Sequence, residues 1–244
     1  NISRLKKSDI EFVHGDIRNQ EDFEGLPGFD LMLECSAEPS VLAGCNESPR
    51  YLLNTNLSGT INCLETVRKH KASMVFLSTS RVYPIKLINN LKYIEKETRF
   101  DLDKDQIIAG ISQAGISEKF PLEGARSLYG TSKLASELII QEYIETYGIK
   151  AVINRCGVLT GSWQMGKIDQ GVVVLWAAKH IFNKQLSYIG FGGKGKQVRD
   201  MLHIKDLFEL LYLQVNNLDL YNNQIFNLGG GKDISLSLLE MTRL

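Results

Sequence analysis

Apolar residues fall along this chain in two kinds of run. Short blocks bounded by small or polar residues alternate with longer stretches in which apolar positions return every third or fourth residue. The first pattern predicts strands buried on both faces, the second amphipathic helices. "DIEFVHGD" (Asp9 to Asp16) and "FDLMLECSA" (Phe29 to Ala37) are read as buried strands. "NLSGTINCLETVRKH" (Asn56 to His70) predicts a helix and "SMVFLSTS" (Ser73 to Ser80) a strand. A further helix opens in "SLYGTSKLASELII" (Ser127 to Ile140) and leads into strand material in "KAVINRCGVLTG" (Lys150 to Gly161). Strands alternating with helices predict an α/β fold, a doubly wound parallel sheet covered on both faces. The charged stretch "RVYPIKLINNLKYIEKETRFDLDKDQ" (Arg81 to Gln106) breaks the rhythm and predicts a surface excursion. Beyond Gly161 the alternation weakens, and "GFGGKGKQVRD" (Gly190 to Asp200) predicts loop and strand material.

Composition narrows the class without naming a chemistry. With 244 residues, 43% hydrophobic and 23% charged, the chain can bury a large core. Its 28 basic and 28 acidic residues balance, and no long basic run marks a nucleic-acid surface. The longest apolar stretch, "GVVVLWAAKHIF" (Gly171 to Phe182), is too short for a bilayer and carries a lysine and a histidine, so no membrane partner is expected. No signal-peptide pattern is read at the start, and Cys35, Cys45, Cys63 and Cys156 are scattered without a CxxC. A reduced, cytoplasmic setting is therefore expected. The four histidines form no HxxxH or His/Cys cluster, and no metal is expected.

Candidate chemistry collects where the strands should end. Ligands of open parallel sheets lie outside the carboxyl ends of the strands. Those ends read Gly15-Asp16-Ile17, Cys35-Ser36-Ala37-Glu38, Ser78-Thr79-Ser80 and Asn154-Arg155-Cys156. Any one of them is equally well an ordinary polar strand end. Tyr129 and Lys133 stand one helical turn apart and can project into one cleft, though a chance pair on an amphipathic helix has the same spacing. "FLSTSRVY", ahead of "YGTSK", adds Ser78 and Thr79 and completes a Thr/Ser–Tyr–Lys set. With "GDI" after one strand and "NLSGT" opening a helix, this ordered series resembles the extended short-chain dehydrogenase/reductase family of NAD-dependent nucleotide-sugar epimerases and dehydratases. The resemblance covers nearly the whole chain. "NRCGVLTGSWQMGKIDQGVVVLW" and "GFGGKGKQVRDMLHIKDL" resemble the CDP-paratose (CDP-tyvelose) 2-epimerase branch, although sister enzymes share much of the second motif.

The resemblance implies a Rossmann-type NAD-binding domain over residues 1–160. Residues 161–244 would be mostly a smaller substrate-binding region, interleaved with the Rossmann core and truncated at the C-terminus. No GxxGxxG turn precedes Asp9, so an N-terminal βαβ unit is expected to be missing; Pro84, where relatives usually carry glycine, is read as a loop variation. Implied ligands are NAD and a nucleotide sugar, with a CDP-sugar favoured, and a homo-oligomer fits the class. Tyr129 would be the acid/base, its phenol brought down from about 10 by the Lys133 cation, and Thr79 would hydrogen-bond the reacting oxygen. Implied cofactor contacts are Asp16 and Ile17 at the adenine, Ala37 where the backbone passes close, and Asn56 at a helix start. Ser78, Tyr129 and Lys133 join them, with Cys156 packed beside the nicotinamide. Implied substrate contacts are Thr79, Asn154, the run from Gln164 to Gln170, and Arg199 on the diphosphate. A salt bridge to Asp200 is the competing explanation for Arg199. His203 is read as a helix-entry residue with no chemistry. The implied reaction inverts C2 of a CDP-hexose by transient oxidation and re-reduction. A 4-epimerase needs the same three residues, whereas a 4,6-dehydratase adds an acidic pair where this chain has Ser80 and Arg81. A non-catalytic NAD-sensing regulator would lose Tyr129 or Lys133, and both are present.

Overall fold

A computed structural model describes residues 10–166 and 170–244 of the chain. Its centre is a four-stranded parallel sheet of β1 (Leu31–Glu34), β2 (Ser73–Thr79), β3 (Lys150–Cys156) and β4 (Gln224–Leu228), hydrogen-bonded in that order. The register sets Glu34 beside Phe76, which in turn adjoins Ile153, and Thr79 beside Cys156, which in turn adjoins Leu228. Val75 and Val152 on one side and Phe76 and Ala151 on the other are sealed from solvent. This is why β2 and β3 read as unbroken apolar runs rather than alternating ones.

Two helices make the crossovers that parallel strands require. Helix α1 (Gly59–His70) joins β1 to β2, and α2 (Leu128–Tyr147) lies between β2 and β3. Cys63, Leu64 and Val67 of α1 and Ile140 and Ile144 of α2 pack with Met74, Phe76, Ala151 and Ile153 into the main core.

Three expectations are corrected here. Residues 10–15 form no strand: Ile10, Phe12 and Val13 are each 55% exposed and pair with no strand among the described residues. A short apolar block licenses a strand, but a strand forms only against a neighbouring edge. What holds this segment is Ile17, whose carbonyl accepts the Asn62 amide at 2.8 Å and whose side chain covers Gly59 so closely that a methyl there would sit 2.5 Å from it. Secondly, Asn56 does not start a helix. Helical structure begins at Arg50–Leu53, passes through a π turn at Asn54–Ser58, and continues as α1. The widened turn is held by the Thr60 and Ser136 hydroxyls, which donate to the Asn56 carbonyl at 2.7 and 3.1 Å. Thirdly, the excursion after β2 is more than surface: Val82, Tyr83, Leu91 and Phe120 form a satellite core joined by Leu102, Ile116 and Leu134.

Beyond β3 the chain serves both parts of the molecule. Val158–Thr160 leaves the main sheet to pair with Met201–His203, whereas β4 returns to it beside β3. Helices α3 (Val172–Ile181) and α4 (Ile204–Asn216) lie between these strands in sequence. His203 caps α4, its Nδ1 accepting the Lys205 N–H at 3.2 Å, as its reading as a helix-entry residue anticipated. Among the described residues no helix is long and apolar enough to cross a membrane, and no His/Cys/Asp/Glu group could hold a metal ion.

Candidate active site

The first turn of α2 is placed by one local contact and one tertiary contact. Ser127 caps it, accepting the Gly130 N–H at 3.1 Å. Gly130 then lies against the turn that follows β2, where an added methyl would fall 2.1 Å from the Arg81 carbonyl oxygen. Only glycine lets the helix press this closely on Ser80–Val82, and the contact brings the Tyr129 phenol to the Thr79 hydroxyl at the carboxyl end of β2.

Tyr129, Lys133 and Glu137 then follow one another at single-turn spacing down the face of α2 that looks onto the sheet. The Lys133 ammonium sits 4.0 Å over the Phe76 ring and 3.9 Å from the Glu34 carboxylate. Glu137 accepts the Ser78 hydroxyl and pairs with Arg155 at 2.7 Å. Arg155 continues to the Tyr83 hydroxyl at 3.0 Å, and Tyr83 donates to Asn227 at 2.7 Å. A buried polar chain thus runs from β2 through α2 and β3 to β4.

The electrostatics correct one expectation. Burial lifts the Tyr129 phenol above its ordinary value, and the hydrogen bond with Thr79 offsets only part of this. The anticipated lowering by Lys133 is absent: the cation that lowers the phenol is Arg81, in the turn after β2, while the Lys133 ammonium lies 3.9 Å from Glu34. Burial pulls Lys133 down while Glu34 opposes; burial pushes Glu34 up while Lys133 opposes.

Other residues singled out in the sequence divide into those at the strand ends and those engaged elsewhere. Asn56 is fully buried and clamps the loop after β1, accepting the Glu38 N–H at 2.7 Å and donating to the Glu38 carbonyl at 3.1 Å. Ala37 lies in the loop so held. Cys156 flanks Thr79, its thiol buried and pushed up to about 12, a packing group rather than a nucleophile. Asp16 is occupied by Arg18, whose guanidinium holds its carboxyl down at about 2. The Ser78 hydroxyl is committed to Glu137. Asn154 does not join the site: its amide is closed in a reciprocal pair with Gln214 at 2.8 and 2.9 Å. Residues 167–169 of the Gln164–Gln170 run lie outside the described residues, but Gln170 itself presents a buried amide nitrogen with no partner among the described residues. Arg199 forms no salt bridge with Asp200, whose carboxylate accepts the Gly231 N–H at 3.0 Å. Among the described residues Arg199 donates only to the Val198 carbonyl, at 3.0 Å, so a half-buried guanidinium is left for an anion.

Sequence reasoning passed over Glu34 and Glu137, and it quoted Arg155 within a strand end without giving it a role. Each interrupts an apolar run, "LMLEC", "ASELII" and "VINRCG", and a charge in such a place is the signal that would have found them.

Comparison with known proteins adds the following. A family model described as the NAD dependent epimerase/dehydratase family matches residues 1–229. A CDP-paratose 2-epimerase of Salmonella typhi is 32% identical over 96% of this chain and 68% of its own length. Among solved structures, Pal from Bacillus thuringiensis superimposes with a TM-score of 0.73 at 27% identity, covering 94% of this chain and 64% of that one. A UDP-glucuronic acid 4-epimerase from Bacillus cereus, in complex with UDP-glucuronic acid and NAD, gives a TM-score of 0.75 at 22% identity, over 98% of this chain and 66% of that one. The chain therefore spans about two thirds of the length of the relatives it matches.

Proposed function

The chain belongs to the NAD dependent epimerase/dehydratase family, and from that premise we propose that it is a nucleotide-sugar epimerase that inverts C2 of a CDP-hexose. One observation carries the reading. The Tyr129 phenol meets Thr79 above the carboxyl ends of β2 and β3, in a chain 32% identical to a CDP-paratose 2-epimerase. Residues 1–160 would form the NAD-binding part and residues 161–244 most of the substrate-binding part, with β4 interleaved into the former.

The residues present fit NAD at this end of the sheet. Lys133 offers a buried ammonium whose nearest carboxylate, at 3.9 Å, lies beyond hydrogen-bonding distance, which leaves donors for ribose hydroxyls. Tyr129, Ala37 and Cys156 would complete the wall around the nicotinamide and Ile17 would border the adenine. Bound NAD supplies hydride acceptance and return at a carbon whose C–H bond is not acidic.

The chain's own groups handle the proton and the orientation. As the phenolate, Tyr129 would take the hydroxyl proton of the sugar as oxidation proceeds, becoming the neutral phenol, and give it back on re-reduction. Its raised pKa calls for a cation, and Lys133 is the nearest on the same helical face. Thr79 would steady the reacting oxygen. The Arg199 guanidinium, which pairs with no carboxylate among the described residues, suits paired diphosphate oxygens. Arg81, in the turn after Thr79, stands where a dehydratase would need a carboxylic acid, which favours epimerisation over elimination.

Incubation of the protein with CDP- and UDP-hexoses, followed by proton NMR, tests the reading. Inversion at C2 of a CDP-sugar is expected; inversion at C4, or loss of water, would replace it with the sister activity. Tyr129→Phe should lower kcat more than about tenfold, roughly 1.4 kcal/mol of barrier, with nucleotide-sugar binding retained. Arg199→Ala should raise KM about ten- to a hundred-fold, as expected for a charged hydrogen bond worth ~1.5–3 kcal/mol, with kcat little changed. A lower melting temperature with normal KM would remove Arg199 from the substrate site.

A further inference from the structure

Glu34 is a carboxylate in an unusual place. It ends β1 inside the sheet at 2% exposure, packed in register beside Phe76. One oxygen accepts the Ser36 N–H at 2.8 Å. The other, Oε2, is buried without a hydrogen-bond partner and lies 3.9 Å from the Lys133 ammonium, itself 1% exposed. Nothing in the proposed chemistry uses this group.

We propose that Glu34 is a positioning residue that keeps Lys133 charged and parked on the floor of the sheet, one helical turn from Tyr129, so that it sets the pH range in which the acid/base pair works. An ammonium sealed in an apolar site loses its proton unless a counter-charge is near. The neighbours leave one source of that charge. From β1 and α1, Cys35 and Cys63 face the pair, and burial raises both thiols, Cys63 to about 12. From β3, Cys156 is likewise raised to about 12. From α2, Glu137 is already bound to Arg155 and Ser78, and Tyr129 is held neutral by burial. Glu34 is the remaining carboxylate. Because the pair meets at ion-pair rather than hydrogen-bond distance, Lys133 keeps donors free and can turn toward a ligand without breaking a hydrogen bond to Glu34.

The role at Tyr129 rests on the acid/base reading given above, so the test has one arm that does not depend on it. With lysine labelled at 13Cε and the Lys133 signal assigned by its loss in Lys133→Arg, the titration of Lys133 is followed in the ligand-free protein. In Glu34→Gln its midpoint should move to lower pH, and in Glu34→Asp, which keeps the charge but withdraws it, the midpoint should fall between the two. A midpoint unmoved or raised in Glu34→Gln overturns the proposal; should that variant fail to fold, an unmoved midpoint in Glu34→Asp does the same. In the second arm, the alkaline limb of the kcat/KM profile should shift to lower pH in Glu34→Gln, with a loss of at least about tenfold on that limb, about 1.4 kcal/mol. A purely structural Glu34 would lower the melting temperature without moving the limb, and that result also overturns the proposal. If Tyr129→Phe proves fully active, the acid/base reading fails while the titration arm still decides whether Glu34 governs Lys133.

Discussion

Replacing Arg155 with methionine removes a guanidinium from a place where neither partner can reach water. The Arg155 and Glu137 side chains are 3% and 2% exposed. Arg155 grips the carboxylate through Nη2 at 2.7 Å and Nε at 3.1 Å, and holds the Tyr83 hydroxyl through Nη1 at 3.0 Å. Methionine retains much of the stem's volume, so the loss is electrostatic rather than a cavity. Glu137 would be left buried with only the Ser78 hydroxyl. Breaking a buried pair from one side costs about 3–5 kcal/mol. For domains of roughly 150–250 residues, each kcal/mol lowers Tm by about 2–4 °C, so a fall of about 6–20 °C is expected. Removing both charges, as Arg155→Met with Glu137→Leu, should restore most of the loss, because the desolvation cost of each ion disappears with it. Urea titration followed by fluorescence of the buried Trp176, together with calorimetric Tm, measures both variants. A single variant within about 1 kcal/mol of the parent, below the range for such pairs, would refute the reasoning. So would a double variant no more stable than the single one.

Two further outcomes follow from the geometry. Gly130→Ala should destabilise by about 1–3 kcal/mol despite alanine's higher helix propensity, because its methyl meets the backbone oxygen of Arg81 at 2.1 Å; chemical denaturation showing a stabilised variant would mean the helix start is not pinned there. The Arg99 guanidinium, through its hydrogen bonds, holds the Glu240 carboxyl at about 2 against an ordinary 4.5. A carboxyl with a depressed folded pKa adds stability above the unfolded value and loses it as pH falls through the folded one. The parent should therefore lose its advantage over Glu240→Gln between about pH 4.5 and 2, read as converging Tm values.

The alternation of strands and helices from β1 through α1, β2 and α2 to β3 and the parallel class of the sheet were legible in the sequence, and both rest on local information. The Thr79–Tyr129–Lys133 set was proposed from the resemblance to a known family. Apolar period reports which faces of an element are buried, unbroken runs in β2 and β3 report cover on both faces, and four-residue spacing reports a shared helical face. The Ser127 cap belongs to the same short stretch, whereas the Gly130 contact with Arg81 joins two elements. Tertiary structure alone decided the rest. Residues 10–15 carry the apolar residues of a buried strand, yet whether they pair depends on an edge elsewhere in the chain. Asn154 looks like a ligand contact at a strand end until Gln214, 60 residues further on, closes over its amide. Most consequential is the direction of the Lys133 charge. Spacing places it beside Tyr129, but Coulomb attraction and desolvation depend on distances through space, and the carboxylate that answers it, Glu34, comes from a strand at the other end of the crossover.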